Sequence, residues 1–260
     1  MKLSAVEPSR WRCLCAYDGT HYVGWQRQPE GDSVQSVIGE ALALTFGEDV
    51  RTIGAGRTDA GVHAEGQVFH FDAAWRHGPE KLLKALRTRL PEDVSVLDIR
   101  PASPGFHALR SARGKRYVYR AVEGWATPRD VRFFHSLKHR RMDLKAMRAG
   151  ASHLVGEHDF SAFAANRGYE DGESPVKNLW RLDVKRSGPH VTITAEGGGF
   201  LYKMVRSLAG ALFDVGSGKL KPDDLRAILA FRKRTAVVVS APARGLTLEK
   251  VYYRMPKRSL

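Results

Sequence analysis

The residues best suited to chemistry lie in one glycine-rich run, Gly54-Ala-Gly-Arg-Thr-Asp-Ala-Gly-Val-His-Ala64. Asp59 is its carboxylate. An unperturbed aspartate, pKa ~3.9, is ionised at pH 7 and needs no separate base to act as a nucleophile. Arg57, two residues earlier, carries a planar fork that pairs bidentately with a carboxylate or a phosphate. The glycines permit positive φ or the close approach of a substrate. Two familiar glycine-rich loops are excluded. Asp59 stands where the dinucleotide fingerprint needs its third glycine, and its charge would repel a pyrophosphate; no Gly-Lys-Ser/Thr follows, so there is no P-loop. The same run also reads as an acidic surface turn in which Asp59 caps a helix or satisfies the loop backbone. His63 has no further ligands at metal spacing and is expected to make a structural hydrogen bond. No carboxylates cluster around Asp59 to hold Mg²⁺, which argues against a metal-dependent nuclease.

The elements that must position this run follow from periodicity and turn chemistry. Trp11 to Ala16 reads as a strand entering a Tyr17-Asp-Gly turn. Ser33 is a helix N-cap, with Val37, Ile38, Ala41, Leu42 and Leu44 as the apolar stripe. Apolar runs end near Ile53 and restart at Gln67 to Phe71. Pro79 to Leu90 reads as a helix stopped before Pro91, and Val94 to Ile99 as a strand. The order is β-α-β-β-α-β, ferredoxin-like.

The pattern restarts after Pro101-Ala-Ser-Pro-Gly105, giving expected halves at 1–105 and 106–260. Arg116 to Val122 alternates as a strand, with Tyr117 and Tyr119 on one face and Arg116 and Arg120 on a solvated basic face. Asp143 to Leu154 reads as a helix. Leu179 to Lys185 and His190 to Ala195 form a hairpin across Ser187-Gly-Pro189. Phe200 to Val215 reads as an amphipathic helix with Leu201, Met204, Val205, Leu208 and Leu212 in its stripe and Lys203, Arg206 and Gly210 on an adjoining face. Pro222 starts another helix at N1, and Leu248 to Tyr253 closes with a strand. The expected fold class is α+β: two ferredoxin-like halves joined into an extended, mostly antiparallel sheet, helices on one side, the Asp59 loop facing a central cleft. The polar stretch 166–177 suits a mobile loop over that cleft.

The chain has 260 residues, 43% hydrophobic and 27% charged, which is ordinary for a globular protein. Its formal net charge of +14 is not, and favours a polyanionic partner, nucleic acid above all. The central basic residues Arg110, Arg113, Lys115, Arg116, Lys138, His139, Arg140 and Arg141 read as phosphate contacts that position RNA without reading its sequence. The two cysteines, Cys13 and Cys15, point to one face of the first strand and read as reduced core packing. With no apolar leader and no run of ~18 apolar residues, the expectation is a soluble, cytoplasmic protein without membrane contact.

Gly56-Arg-Thr-Asp-Ala-Gly-Val-His-Ala64 resembles the signature of the tRNA pseudouridine synthase A family. Tyr17-Asp-Gly-Thr-His-Tyr-Val-Gly-Trp-Gln-Arg-Gln-Pro29 is similar to that family's opening motif, and Val34-Gln35 and Gly66-Gln67-Val68 fall where the family has them. Phe106-His-Ala, Arg116-Tyr-Val-Tyr119, Gly156-Glu-His-Asp-Phe-Ser-Ala-Phe163, Phe200-Leu-Tyr-Lys-Met-Val-Arg206 and Gly245-Leu246 match later blocks in order, so the likeness covers nearly the whole chain. The resemblance implies an isomerase that converts uridine to pseudouridine in the tRNA anticodon stem-loop, at positions 38, 39 and 40. It implies no metal, nucleotide or redox cofactor, and a homodimer that holds tRNA across both subunits. Asp59 would be the catalytic residue, with Arg57 its electrostatic partner and an aid to extruding the nucleotide. Tyr117 would stack on the base, Leu201 close over it, and Arg206 add charge near Asp59. Arg27, Lys115, Arg116 and Lys203 are the expected RNA contacts. The alternatives are a pseudouridine synthase with another RNA target and a non-catalytic RNA-binding protein of the same fold. One departure stands out. Many relatives read Phe-His-Ala-Arg, whereas here Leu109 follows Ala108 and the arginine comes at Arg110, a shift that on a strand would turn it to the opposite face. Gly197-Gly-Gly-Phe200 is also looser than the small-residue-then-Phe entry of that motif.

Overall fold

The structure, a computed structural model, describes residues 7–138, 141–165 and 174–255. His139, Arg140 and most of the 166–177 loop therefore lie outside the described residues. Among the described residues ten strands and five α-helices give an α+β fold, divided into two compact units, the described parts of 1–112 with 248–260 and of 113–247.

The first unit runs β1 (Ser9–Tyr17), α1 (Val34–Phe46), β2 (Ile53–Gly54), β3 (His63–Ala73), α2 (Pro79–Arg87) and β4 (Val94–Ala102). This is the β-α-β-β-α-β order expected from sequence. β1 lies between β4 and β3, antiparallel to both, and β2 pairs with β3. β1 alternates strictly, burying Trp11, Cys13, Cys15 and Tyr17 on one face. Both cysteines are free, and burial pushes their thiols well up from the ordinary value. Ser33 caps α1 as expected: its Oγ accepts the Ser36 N–H at 3.1 Å, and Ser36 Oγ accepts the Ser33 N–H at 3.0 Å. The buried stripe of α1 is Val34, Ile38, Ala41 and Leu42. Leu44, placed in that stripe by periodicity, is instead 71% exposed. α2 ends at Arg87, short of Pro91.

The Phe106-His-Ala block packs within this unit. Ala108 N–H donates to His70 Nδ1 at 3.1 Å, Ala108 O accepts from Tyr253 Oη at 2.8 Å, and Arg10 Nη1 donates to Phe106 O at 2.8 Å. Arg12 stacks over the Tyr253 ring at 4.4 Å. Residues 108–111 form turns, not a strand. The face-reversal argument for Arg110 therefore does not apply; Leu109 and Arg110 are both exposed on a turn whose N–H groups cap His107 and its neighbours.

The second unit contains β5 (Gly114–Val122), β6 (His135–Ser136), α3 (Leu144–Ser152), β7 (Gly156–Asp159), β8 (Val176–Ser187), β9 (His190–Gly197), α4 (Met204–Gly216) and α5 (Pro222–Phe231). Its sheet order is β5-β9-β8-β7, antiparallel where β5, β9, β8 and β7 meet, with β6 parallel to β5. β8 and β9 join through the Gly188-Pro189 turn, Ser187 opposite His190. α4 starts at Met204, four residues later than its apolar periodicity suggests. Lys203 takes a left-handed conformation (φ 57°) at the N-cap, so Leu201 and Lys203 sit in the preceding turn and not on the helix. β10 (Leu246–Tyr252) closes the chain, and from Leu248 onward it belongs to the first unit. There the main chain of Glu249 presses so closely on Gly66 of β3 that any Cβ at Gly66 would meet Glu249 O.

Candidate functional site

Main-chain and buried side-chain hydrogen bonds hold the Asp59 loop. Ala55 N–H donates to Val68 O at 2.7 Å, and Gln67, fully buried, donates its Nε2 to Gly56 O at 2.8 Å. Thr58 is buried, its Oγ1 2.9 Å from Tyr17 Oη, while its carbonyl accepts the Trp25 N–H at 3.1 Å. Asp59 pairs its main chain with Gly24 in an isolated antiparallel bridge, and its carbonyl accepts from Val62 N–H at 3.1 Å. Gly24 needs both its freedoms: φ is +113°, and a Cβ would run into Thr58 O. Gly19 N–H donates to His63 Nδ1 at 3.0 Å, which gives His63 the structural bond expected for it. Asp18 Oδ1 also lies 3.1 Å from that nitrogen, and a single ring nitrogen cannot serve both partners at once.

Nothing in the sequence pattern singled out Thr58–Tyr17 or Gln67–Gly56 as loop braces, because each pair is remote along the chain. Gln35 is a further brace: its Oε1 accepts Arg27 N–H at 3.1 Å and its Nε2 donates to Thr52 O at 3.0 Å. The opening motif is thereby stitched both to α1 and to the approach to the loop.

The outcome is a half-buried Asp59 side chain on a rigid, mostly buried loop. Arg57 is exposed and forms no ion pair among the described residues. Its guanidinium is free to meet a phosphate, and the ligand-free fold does not hold it against Asp59. Among the described residues no group of His, Cys, Asp or Glu could hold a metal ion.

A family model described as tRNA pseudouridine synthase matches residues 14–108 and 151–254, spanning this loop and its braces. The chain belongs to the tRNA pseudouridine synthase family. Curated relatives named tRNA pseudouridine synthase A include one from Exiguobacterium sibiricum, 37% identical over 254 residues, covering 96% of this chain and 99% of the relative. Another, from Brevibacillus brevis, is 41% identical over 246 residues, covering 94% of this chain and 99% of its own length. A third, from Brucella ovis, is 41% identical over 251 residues, covering 95% and 99% respectively. A crystal structure of a Cbf5-Nop10-Gar1 complex overlaps 78% of this chain and 45% of its own at 14% identity, with a TM-score of 0.36, too loose to bear on the fold. The synthase is an isomerase that converts uridine to pseudouridine in tRNA.

In the synthase's second unit, Tyr117 lies on β5, 7% exposed, with its ring edge-on to Phe200 at 5.3 Å between centroids. Leu201, in the turn before α4, is 6% exposed. Arg206, in the first turn of α4, donates its Nε to Ala241 O at 2.8 Å and accepts Ala241 N–H on its own carbonyl at 2.9 Å. The stretch that holds Arg206 is itself clamped by Arg234. That guanidinium donates to Ser207 Oγ at 2.9 Å, Val238 O at 2.8 Å and Ser240 Oγ at 3.0 Å, and desolvation lowers its pKa.

Of the four expected RNA contacts, Arg27 is exposed, while Lys115 and Lys203 are half-buried, Lys203 Nζ lying 5.0 Å over the Tyr202 ring. Arg116 differs from the solvated basic face expected of it. The register aligns Arg116, Glu196 and Arg181 across β5, β9 and β8, and Glu196 Oε1 accepts Arg116 Nε at 3.0 Å and Arg181 Nη1 at 3.2 Å. Glu196 is 7% exposed, so this carboxylate is a buried counter-charge shared by two arginines.

Proposed function

We propose that the synthase isomerises uridines at positions 38, 39 and 40 of the tRNA anticodon stem-loop, with Asp59 as its catalytic carboxylate. The supporting observation is the Asp59 loop itself. Its neighbours Ala55, Gly56, Thr58 and Val62 are buried and hydrogen-bonded or packed, while the carboxylate-bearing residue between them keeps a solvent-facing side. The reaction breaks the C1′–N1 bond, turns the uracil and joins C1′ to C5; the C5 proton is lost and N1 gains one, so no atom is added or removed. Asp59 acts at C1′, at C6, or on a sugar proton as a glycal forms, each a role open to an ionised aspartate without a cofactor.

Arg57 assists by binding the displaced backbone once the nucleotide leaves the stack, a step costing a few kcal/mol. Tyr117 gives its ring to the target base and Leu201 packs against it, while Arg206 supplies positive charge. Arg27, Lys115, Arg116 and Lys203 bind phosphates. The working form is a cytoplasmic homodimer.

Purified protein incubated with unmodified tRNA and EDTA, followed by chemical mapping of pseudouridine, tests this. Product in the anticodon arm that disappears in Asp59→Ala upholds the proposal. Product elsewhere points to another RNA target, and binding without product to a non-catalytic RNA-binding protein.

A further inference from the structure

Within the second unit, the end of β5 and the β8–β9 turn border a shallow, open cleft of about 450 Å³ lined by Glu123, Gly124, Lys138, Arg141, Arg186 and Pro189, among others. Its wall is fixed by main-chain bonds: Glu123 N–H to Pro189 O at 2.8 Å, Leu137 N–H to Val122 O at 2.8 Å, and a bridge between Gly124 and Lys138. Three cations face one carboxylate, and that carboxylate is already engaged. Glu123 Oε1 accepts Arg186 Nη2 at 2.6 Å and the Met142 N–H at 2.7 Å. Lys138 and Arg141 are exposed and have no carboxylate partner among the described residues. Arg186 Nε is buried without a hydrogen-bond partner, so the polar inventory of the cleft is incomplete. Beside it Trp125 is 63% exposed, with Lys138 Nζ 5.7 Å over its ring. Lys138 is held in the left-handed region (φ 57°), a conformation a lysine rarely adopts.

We propose that this cleft binds a backbone phosphate of the tRNA substrate through Lys138 and Arg141, with an unpaired base of the same strand lying on Trp125. Two cations without a carboxylate partner among the described residues and an exposed indole are what a single-stranded or looped RNA needs: charge for the diester, a flat apolar face for the base. The net charge of +14 favours RNA over a free anion as the occupant. The inference rests on tRNA being the substrate and is independent of the role given to Asp59.

The test measures tRNA affinity of the full-length protein as a function of salt. In the double variant Lys138→Gln/Arg141→Gln the slope of log Kd against log salt should fall by about 0.7–0.9 for each lost phosphate contact, and KM for tRNA should rise several-fold. Trp125→Leu should weaken binding and leave that slope unchanged, because stacking releases no counterions. An unaltered slope in the double variant overturns the proposal. So does a loss of inorganic phosphate binding with tRNA binding intact, which would make the cleft a free-anion site. Asp59→Asn carried through the same titration keeps the readings apart. Turnover by that variant would undo the catalytic assignment alone, and its salt slope would still report on the cleft.

Discussion

Asp59 is half-buried on a loop whose main chain is hydrogen-bonded at Ala55, Thr58 and Val62, so removing its charge should cost chemistry. Asp59→Asn is expected to abolish pseudouridine formation in a tritium-release assay. Arg57→Lys separates two ideas about its neighbour. Arg57 forms no ion pair among the described residues, so if its planar fork grips a displaced phosphate, lysine will keep the charge and still lose much of kcat/KM. Full activity in that variant would reduce Arg57 to a point charge. At Gly24, φ of +113° and the closeness of Thr58 O leave no room for a methyl group. Gly24→Ala should lower stability by about 3 kcal/mol, read by urea denaturation, and slow turnover by shifting the Asp59 bridge.

Among elements, the histidines of the first unit give a pH signature. His70 is pushed down chiefly by burial, helped by Arg10 and His107, and opposed by Asp72. His107 is lowered chiefly by desolvation, then by Arg110. A histidine whose folded value lies below its ordinary 6.5 takes up protons more readily when unfolded. Its contribution to stability is complete above pH 6.5 and is lost as pH falls below that value. Urea midpoints should therefore drop between pH 7.5 and pH 5.5, and His70→Gln should flatten that drop. In the second unit, Arg234 joins α4 to the chain that holds Arg206 through neutral acceptors alone. Arg234→Met leaves Ser207, fully buried, with one partner fewer, and should cost about 1–3 kcal/mol.

These elements also mark what the sequence could reveal. The first unit was legible strand by strand because β1 alternates cleanly, Ser33 announces α1, and Pro79 opens α2. The start of α4 was not. Phe200 and Leu201 continue the apolar period of the helix, and periodicity carries no record that Lys203 turns left-handed. The partner of Arg116 was hidden for a similar reason. Alternation gives the face of a strand residue, but Glu196 meets it from 80 residues away through strand register. At the site, residue types pointed to Asp59 and Arg57, while the braces Tyr17, Gln35 and Gln67 became visible only when folding joined them to the loop. Leu44 shows the converse: an apolar residue in phase with a core stripe can still face solvent, since one-sided burial is not compulsory.

At the scale of the molecule, no described helix is long and apolar enough to cross a membrane, and the dominant global property is positive charge. Catalytic efficiency toward tRNA should accordingly fall steeply as salt rises from 50 to 200 mM, as counterion release demands. A shallow dependence would mean that binding rests on few phosphates.

The return of residues after Leu248 to the first unit has a further consequence, for biosynthesis. β3 waits at Gly66 for main chain that is translated only after the second unit has emerged from the ribosome. Nascent chains would therefore carry an open strand edge next to the loop bearing Asp59 until β10 has emerged. A protein cut after Thr247 should display an ordered second unit by hydrogen exchange, a poorly protected β3, and no enzymatic turnover.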